Sequence, residues 1–163
     1  MDAAQVAEVL AQPLSRELMA SEIPARLAYT GLDGAPRAIP IGFGLDGSTI
    51  VMWTVPTSAK VKALQVNPQV AITIDTQGFP PNVLLVRGTV ELALVDGIPH
   101  GYVEAARKVV PADQMEGWEA GVRGLYEQMT VITMTPTWAK LIDFENTLPK
   151  AVADLVAERG DPR

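Results

Sequence analysis

Two lysines set two residues apart, directly behind a pair of hydroxyl side chains, are the part of this chain best suited to hold a ligand. They lie in Thr57-Ser58-Ala59-Lys60-Val61-Lys62. Ile50–Val55 before them is apolar and β-prone, Pro56-Thr57-Ser58 breaks that strand and offers hydroxyl N-caps, and Ala59–Val66 suits a short helix with Val61, Ala63 and Leu64 turned inward. Pro68 excludes helical geometry at Asn67, so the helix is expected to end there and Gln69–Asp75 to run on as a strand. Cations in a first helical turn face the positive end of the macrodipole, which costs about 0.3–1 kcal/mol each. An anion offsets that cost. The hydroxyls of Thr57 and Ser58, the open amides of the first turn and the ammonium groups of Lys60 and Lys62 would converge on a phosphate. The competing reading is a helix whose two lysines are simply solvated.

Composition narrows the alternatives. A chain of 163 residues, 48% hydrophobic, can form a core and is expected to be one domain, with 1–22 an N-terminal helical segment, 25–145 a barrel with covering helices and 147–159 a C-terminal helix. The net charge of −6 opposes nonspecific binding to nucleic acid or anionic membranes, so an anion site has to be local. Without cysteine there is no disulfide, thiolate metal site or cysteine nucleophile. One histidine, His100, stands beside Pro99 at an expected helix start, where a surface or capping role is its simplest reading; no H-E-x-x-H or G-x-S-x-G pattern occurs. The first residues carry no basic stretch followed by an apolar one, and no apolar run reaches a membrane span, so a cytoplasmic protein is expected.

In chain order, Asp2 caps a first helix carrying Val6, Val9 and Leu10 and ended by Pro13, and a second helical piece follows around Ser15–Ser21. Arg26–Thr30, Pro36–Leu45 and Ser48–Val55 read as three antiparallel strands in a meander, turned at Gly31–Gly34 and Asp46-Gly47. Gly42 and Gly44 weaken the middle strand but let a planar ligand approach its backbone, with barrel curvature as the alternative. Thr76–Pro81 is a rigid turn, and Asn82–Val95 is a long strand bent at Gly88. Helices over Ile98–Val110 and from Asp113 through Trp118, Val122 and Leu125 read as barrel cover. Met129–Met134 and Trp138–Phe144 are expected as two strands around Thr135-Pro136-Thr137, with a last amphipathic helix over Leu148–Glu158. Many short strands with few helices fit a closed or split antiparallel barrel, and no G-x-G-x-x-G supports a Rossmann site.

Leu27–Thr30, Asp33-Gly34-x-Pro36, Pro40–Phe43, Asp46-Gly47, Trp53-Thr54, Ser58-x-Lys60, Leu64 and Asn67-Pro68-x-Val70 succeed one another in an order that resembles the pyridoxamine 5′-phosphate oxidase-like superfamily of flavin and deazaflavin oxidoreductases. The resemblance spans about Ala25–Glu145. It implies a mainly β fold, the FMN-binding split barrel with peripheral helices, and a bound FMN or, alternatively, the deazaflavin coenzyme F-420. It further implies that the backbone of Ile39, Pro40, Ile41, Gly42 and Phe43 and the pair Trp53-Thr54 line the isoalloxazine ring, while Thr57, Ser58, Lys60 and Lys62 hold the phosphate.

Hydride chemistry on such a ring asks the protein for positioning and electrostatics more than for acid–base residues, which suits a chain this poor in them. The resemblance also implies a homodimer with the cofactor at its interface, where Trp138 covers the ring and Arg87 and Lys140 bring positive charge. Two departures speak against literal pyridoxamine phosphate oxidation: Ala59 stands where that enzyme commonly has a phosphate-binding arginine, and no R-x-H follows His100. The expected function is therefore a flavin- or deazaflavin-dependent reductase passing hydride to a small organic acceptor; the alternative is a non-enzymatic flavin or haem carrier or sensor.

Overall fold

The computed structural model describes residues 1–146 and 150–159. Its strands are β1 (Ala25–Thr30), β2 (Pro36–Ile41), β3 (Phe43–Asp46), β4 (Thr49–Thr54), β5 (Gln69–Asp75), β6 (Asn82–Asp96) and β7 (Gln128–Asp143). Its helices are α1 (Ala3–Ala11), α2 (Pro13–Ala20), α3 (Ala59–Val66), α4 (His100–Ala106), α5 (Met115–Leu125) and α6 (Lys150–Arg159). All strand pairs are antiparallel, in one sheet ordered β2-β1-β5-β6-β7-β4-β3. This is the split-barrel arrangement, with its sheet not closed by hydrogen bonds.

The expected three-strand meander is corrected here. Pro36–Leu45 is not one strand between two neighbours: it is interrupted at Gly42, so that β2 pairs with β1 at one edge of the sheet and β3 with β4 at the other. The chain itself thus joins the two edges. Gly42 marks the split, and added atoms at its Cα would meet nothing within 4 Å.

A second correction concerns the end of the barrel. Gln128–Asp143 is one strand of 16 residues and not two, because Pro136 sits where the β6–β7 register shifts between Arg87 and Gly88. Proline lacks the N–H that a regular ladder needs, and a bulge is where that loss is tolerated. Gly88 is the other half of the device: a side chain there would collide with the Thr135 carbonyl.

Alternation along the strands builds two cores, one on each face. Ile50 and Met52 of β4, Ile72 and Ile74 of β5, Leu84 and Val86 of β6 and Ile132 and Met134 of β7 fill the barrel, closed by Leu18 and Met19 of α2 and Leu64 of α3. On the opposite face Trp53 and Met129 pack with Ile98, Val103, Ala106 and Met115 beneath α4 and the start of α5.

The helix ends follow local chemistry with some shifts. Asp2 forms a capping box with Gln5 on α1, whose amide donates to Asp2 Oδ1 at 2.8 Å. Pro13 begins α2 at its first turn. Gln114, not Asp113, stands at the α5 N-cap, and α4 stops at Ala106 with a tight turn carrying the chain to Val110. The last helix runs Lys150–Arg159 and buries none of its residues, while Leu148 lies outside the described residues. Among the described residues no helix is long and apolar enough to cross a membrane.

Candidate functional site

The last two residues of β4 point to opposite faces of the sheet, as consecutive strand residues must, and each opens a different polar or aromatic environment. Thr54 is buried at the end of the barrel face, paired across the sheet with Thr130. Two residues on, Pro56-Thr57-Ser58 turns the chain into α3, whose Val61, Ala63 and Leu64 are all buried. That anchoring turns Lys60 back over the strand it came from. Its Nζ donates to Thr54 Oγ1 at 3.0 Å and to Ser58 Oγ at 2.8 Å. Ser58 occupies the N-cap position but makes no capping bond, since its hydroxyl oxygen is turned to Lys60.

The electrostatics of this corner are unusual for a lysine. Lys60 is half-buried, burial holds its pKa below the ordinary 10.5, and among the described residues it makes no ion pair with a carboxylate. An ammonium carries three hydrogens, so one remains after these two bonds, and a hydroxyl that accepts from it still has its own O–H to donate. The Ala59 and Lys60 amides add first-turn donors without intrahelical acceptors. A phosphate monoester is the kind of group these donors suit.

The remaining residues of the lysine motif are placed apart. Lys62 and Thr57 are exposed, and residues two apart on a helix do not share a face, so Lys62 is not brought to Lys60. Along Ile39–Phe43, Ile39 and Ile41 turn toward the barrel core and Pro40 is exposed, beside Arg26 of β1. Arg87 and Trp138 are cross-strand partners on the outer face of β6 and β7, the guanidinium carbon lying 4.2 Å from the centroid of the indole ring system. Lys140 is exposed two residues further along that face, opposite Leu85. Trp138 therefore lies within a strand, correcting its expected place beside a turn. His100 opens α4 with its side chain 87% exposed, 3.7 Å from Glu104.

The other environment joins residues from distant parts of the chain. Trp53 projects from β4 beneath α4, held between two glycines: a Cβ at Gly44 would come within 3.0 Å of the indole and one at Gly101 within 2.8 Å. Tyr102 meets Trp53 edge-on at 6.1 Å and leans on Trp118 at 5.5 Å. These rings, with Gly42, Phe43 and Lys108, line a cavity of about 410 Å³. Of the residues expected to line a cofactor ring, Gly42, Phe43 and Trp53 thus border this cavity; Trp53 lies on the face away from Thr54, whereas Phe43, paired with Met52, belongs to the barrel face, so the cavity wraps the β2–β3 corner. Tyr102 and Trp118 were visible as apolar helix positions, but Lys108 had no local signal, since its hydrogen-bond partner, the carbonyl of Met19, is 89 residues away.

Comparison with known proteins agrees with this architecture. Among solved structures, an F420 reductase superposes with a TM-score of 0.59 at 23% identity, covering 77% of this chain and 94% of its own. A putative pyridoxamine 5′-phosphate oxidase from Listeria innocua gives 0.54 at 17% identity, covering 85% of this chain and 98% of its own. A haem storage protein from Vibrio cholerae gives 0.55 at 16% identity, covering 80% and 92%. At these identities the likeness is one of fold. No curated protein matches. The model of the pyridoxamine 5′-phosphate oxidase family matches residues 12–140, most of the chain and all seven strands up to Lys140 of the last, and the chain belongs to that family.

Proposed function

We propose that this protein is a flavin- or deazaflavin-dependent oxidoreductase, acting as a reductase between bound FMN, or alternatively coenzyme F-420, and a small organic acceptor. The observation that carries the reading is the Lys60 corner: a half-buried ammonium without a carboxylate partner among the described residues, bonded to Thr54 and Ser58 at the start of a helix. Lys60 and Ser58 hold the cofactor phosphate, Thr54 fixes the ammonium, and Thr57 and Lys62 add solvent-side donors. When bound, the ring supplies the hydride chemistry. The chain's part is to orient it along Ile39–Phe43 and to exclude water with apolar side chains.

The functional unit in this reading is a two-fold homodimer, with Arg87, Trp138 and Lys140 of one subunit closing the partner's site. A stacked Arg87–Trp138 pair on the outer sheet face supports it, because a half-buried indole with a cation on one side still has apolar surface to cover. A carrier or sensor reading stays second, supported by the haem storage protein that shares the fold.

Titration of the purified protein with FMN and with F-420, followed by spectrum and calorimetry, tests the assignment. Lys60→Ala should weaken binding of the phosphorylated cofactor about 10- to 100-fold, the value of a charge-assisted hydrogen bond of roughly 1.5–3 kcal/mol. Unchanged affinity in the folded variant removes the phosphate site. Turnover of an unsaturated acceptor by the reduced holoprotein separates a reductase from a carrier, which stays inert.

A further inference from the structure

The aromatic cavity borders Gly42, Phe43 and Trp53, which the resemblance assigns to the cofactor ring, but the reading above gives no ligand to Lys108 or to the α4 and α5 walls that complete it. Its walls come from four separate parts of the chain: the α2–β1 connection, the β2–β3 corner at Gly42-Phe43, the end of β4 at Trp53, and α4 with the turn after it and Trp118 of α5. A volume of about 410 Å³ lies within the usual range of small-molecule sites, and such sites are mainly apolar with few polar groups that fix orientation. Here the aromatic groups are Phe43, Trp53, Tyr102 and Trp118, and the cation is Lys108.

Lys108 is placed as a binding group rather than as a surface charge. It is half-buried, its Nζ donates to the Met19 carbonyl at 2.9 Å, and that nitrogen stands 4.6 Å from the centroid of the Phe43 ring. Among the described residues it forms no ion pair with a carboxylate. Met19 holds one ammonium hydrogen, which leaves two for another acceptor. Burial lowers the pKa of Lys108, as expected of a charge whose anion is not supplied by the chain. Glu22 also lines the cavity, but its residue is exposed and it makes no ion pair with Lys108 among the described residues, so it belongs to the mouth.

We propose that this cavity is a binding site for a planar aromatic monocarboxylate, its ring among Phe43, Trp53, Tyr102 and Trp118 and its carboxylate on Lys108. Bidentate acceptance of the two remaining ammonium hydrogens fixes the orientation, and the aromatic walls supply the apolar burial. A phosphate or dicarboxylate places more charge in an apolar site than one half-buried cation neutralises, so a monoanion is the matching class.

The test uses three isosteric probes on the full chain: 2-naphthoate, neutral 2-naphthylmethanol and cationic 2-naphthylmethylamine, each titrated by calorimetry and tryptophan fluorescence. Naphthoate should bind about 10-fold or more tighter than the alcohol, with the amine weakest. Lys108→Met, which keeps an apolar stem, should remove the preference for naphthoate and leave alcohol binding within about 2-fold, while Lys108→Arg should retain it. Ala105→Phe, which fills the cavity, should abolish both, and Lys60→Ala should change neither. Equal affinity for acid and alcohol, tighter binding of the amine, no binding of any probe, or loss of naphthoate in Lys60→Ala each overturns the proposal. Because no cofactor is present in these titrations, they stand or fall apart from the flavin assignment.

Discussion

Lys60 and Lys108 are the same residue type in the same half-buried condition, at two separate sites, and they differ in what holds them. Lys60 is bonded by two hydroxyls within six residues of itself, at the start of a helix; Lys108 is bonded by a carbonyl 89 residues away and an aromatic ring contributed by the far edge of the sheet. Hydroxyls carry donors of their own and enlarge the anion-binding set, whereas a carbonyl and a ring face can only accept. The Lys60 corner is therefore equipped for a multiply charged oxyanion. The Lys108 cavity has one cationic donor in aromatic walls, which limits it to a single charge on a flat apolar body.

Both sites depend on the β6–β7 ladder that carries β4 beside it, so the largest predicted effect is one that removes the difference by disabling both. Gly88→Ala drives a methyl into the Thr135 carbonyl at the bulge, against backbone that cannot move without breaking the register. Overpacking usually costs about 1–3 kcal/mol, and a backbone collision belongs at or above the upper end. Chemical denaturation should show that loss, with cofactor and naphthoate binding weakened together. A stability within about 0.5 kcal/mol of wild type would mean the bulge is adaptable and that Pro136, not Gly88, sets the shift.

The next effect should separate the two sites. Gly101→Ala places a methyl 2.8 Å from the Trp53 indole, which Gly44 already confines on its other side. Alanine favours the helix by up to about 1 kcal/mol, so overpacking should leave a net loss of roughly 1–2 kcal/mol. Paired with Trp53→Phe, the cost should shrink, giving a coupling of about 0.5–3 kcal/mol in a double-mutant cycle. Phosphate binding should stay near wild type. An additive cycle would show that α4 shifts to relieve the contact.

The two sites were also unequally legible in the sequence. α3 and β5 matched their predicted spans, because a proline-bounded turn and Pro68 fix both ends of a short segment with inward Val61 and Leu64. The lysine motif was visible because its partners are sequence neighbours. What was misread depends on long-range pairing: alternation along Pro36–Leu45 is that of one strand, and nothing local says that its halves belong to opposite edges of a sheet. Pro136 looked like a break because a proline ends a regular strand, yet a register shift on the partner strand absorbs it. The aromatic cavity was illegible for the same reason. Tyr102 and Trp118 have core-like spacing, and only the fold brings them to Trp53 and Lys108.

A smaller effect bears on the lysine motif itself. Lys62 is exposed and on another side of α3 from Lys60, so Lys62→Ala should weaken the phosphorylated cofactor by no more than a few-fold, the range of a surface ion pair of about 0.2–1 kcal/mol. Added salt should erase that difference while leaving most of the Lys60 effect. A Lys62→Ala loss as large as that of Lys60→Ala would show that the bound phosphate lies on the solvent side of the helix.

The smallest predicted effect is on stability against pH, and it tests what the two lysines share. Burial holds both below the ordinary 10.5, so between the folded pKa and 10.5 the folded protein binds fewer protons than the unfolded chain. Stability then rises with pH across that window, since the cost of keeping an ammonium half-buried disappears as it loses its proton; below the folded pKa the cost is fully present and constant. Other lysines and tyrosines titrate in the same region, so the contribution has to be isolated by subtraction. Denaturation of wild type and of Lys60→Met/Lys108→Met at steps from pH 7 to 10 should give a difference that moves in favour of wild type as pH rises, beginning below 10.5. Bound phosphate monoester should oppose the trend at Lys60 alone, because an anion favours the ammonium and raises its pKa. A difference curve flat to pH 10 would show that water reaches both groups in solution. A curve that phosphate leaves unchanged would place the anion away from Lys60, and the distinction between the two sites would then rest on Lys108.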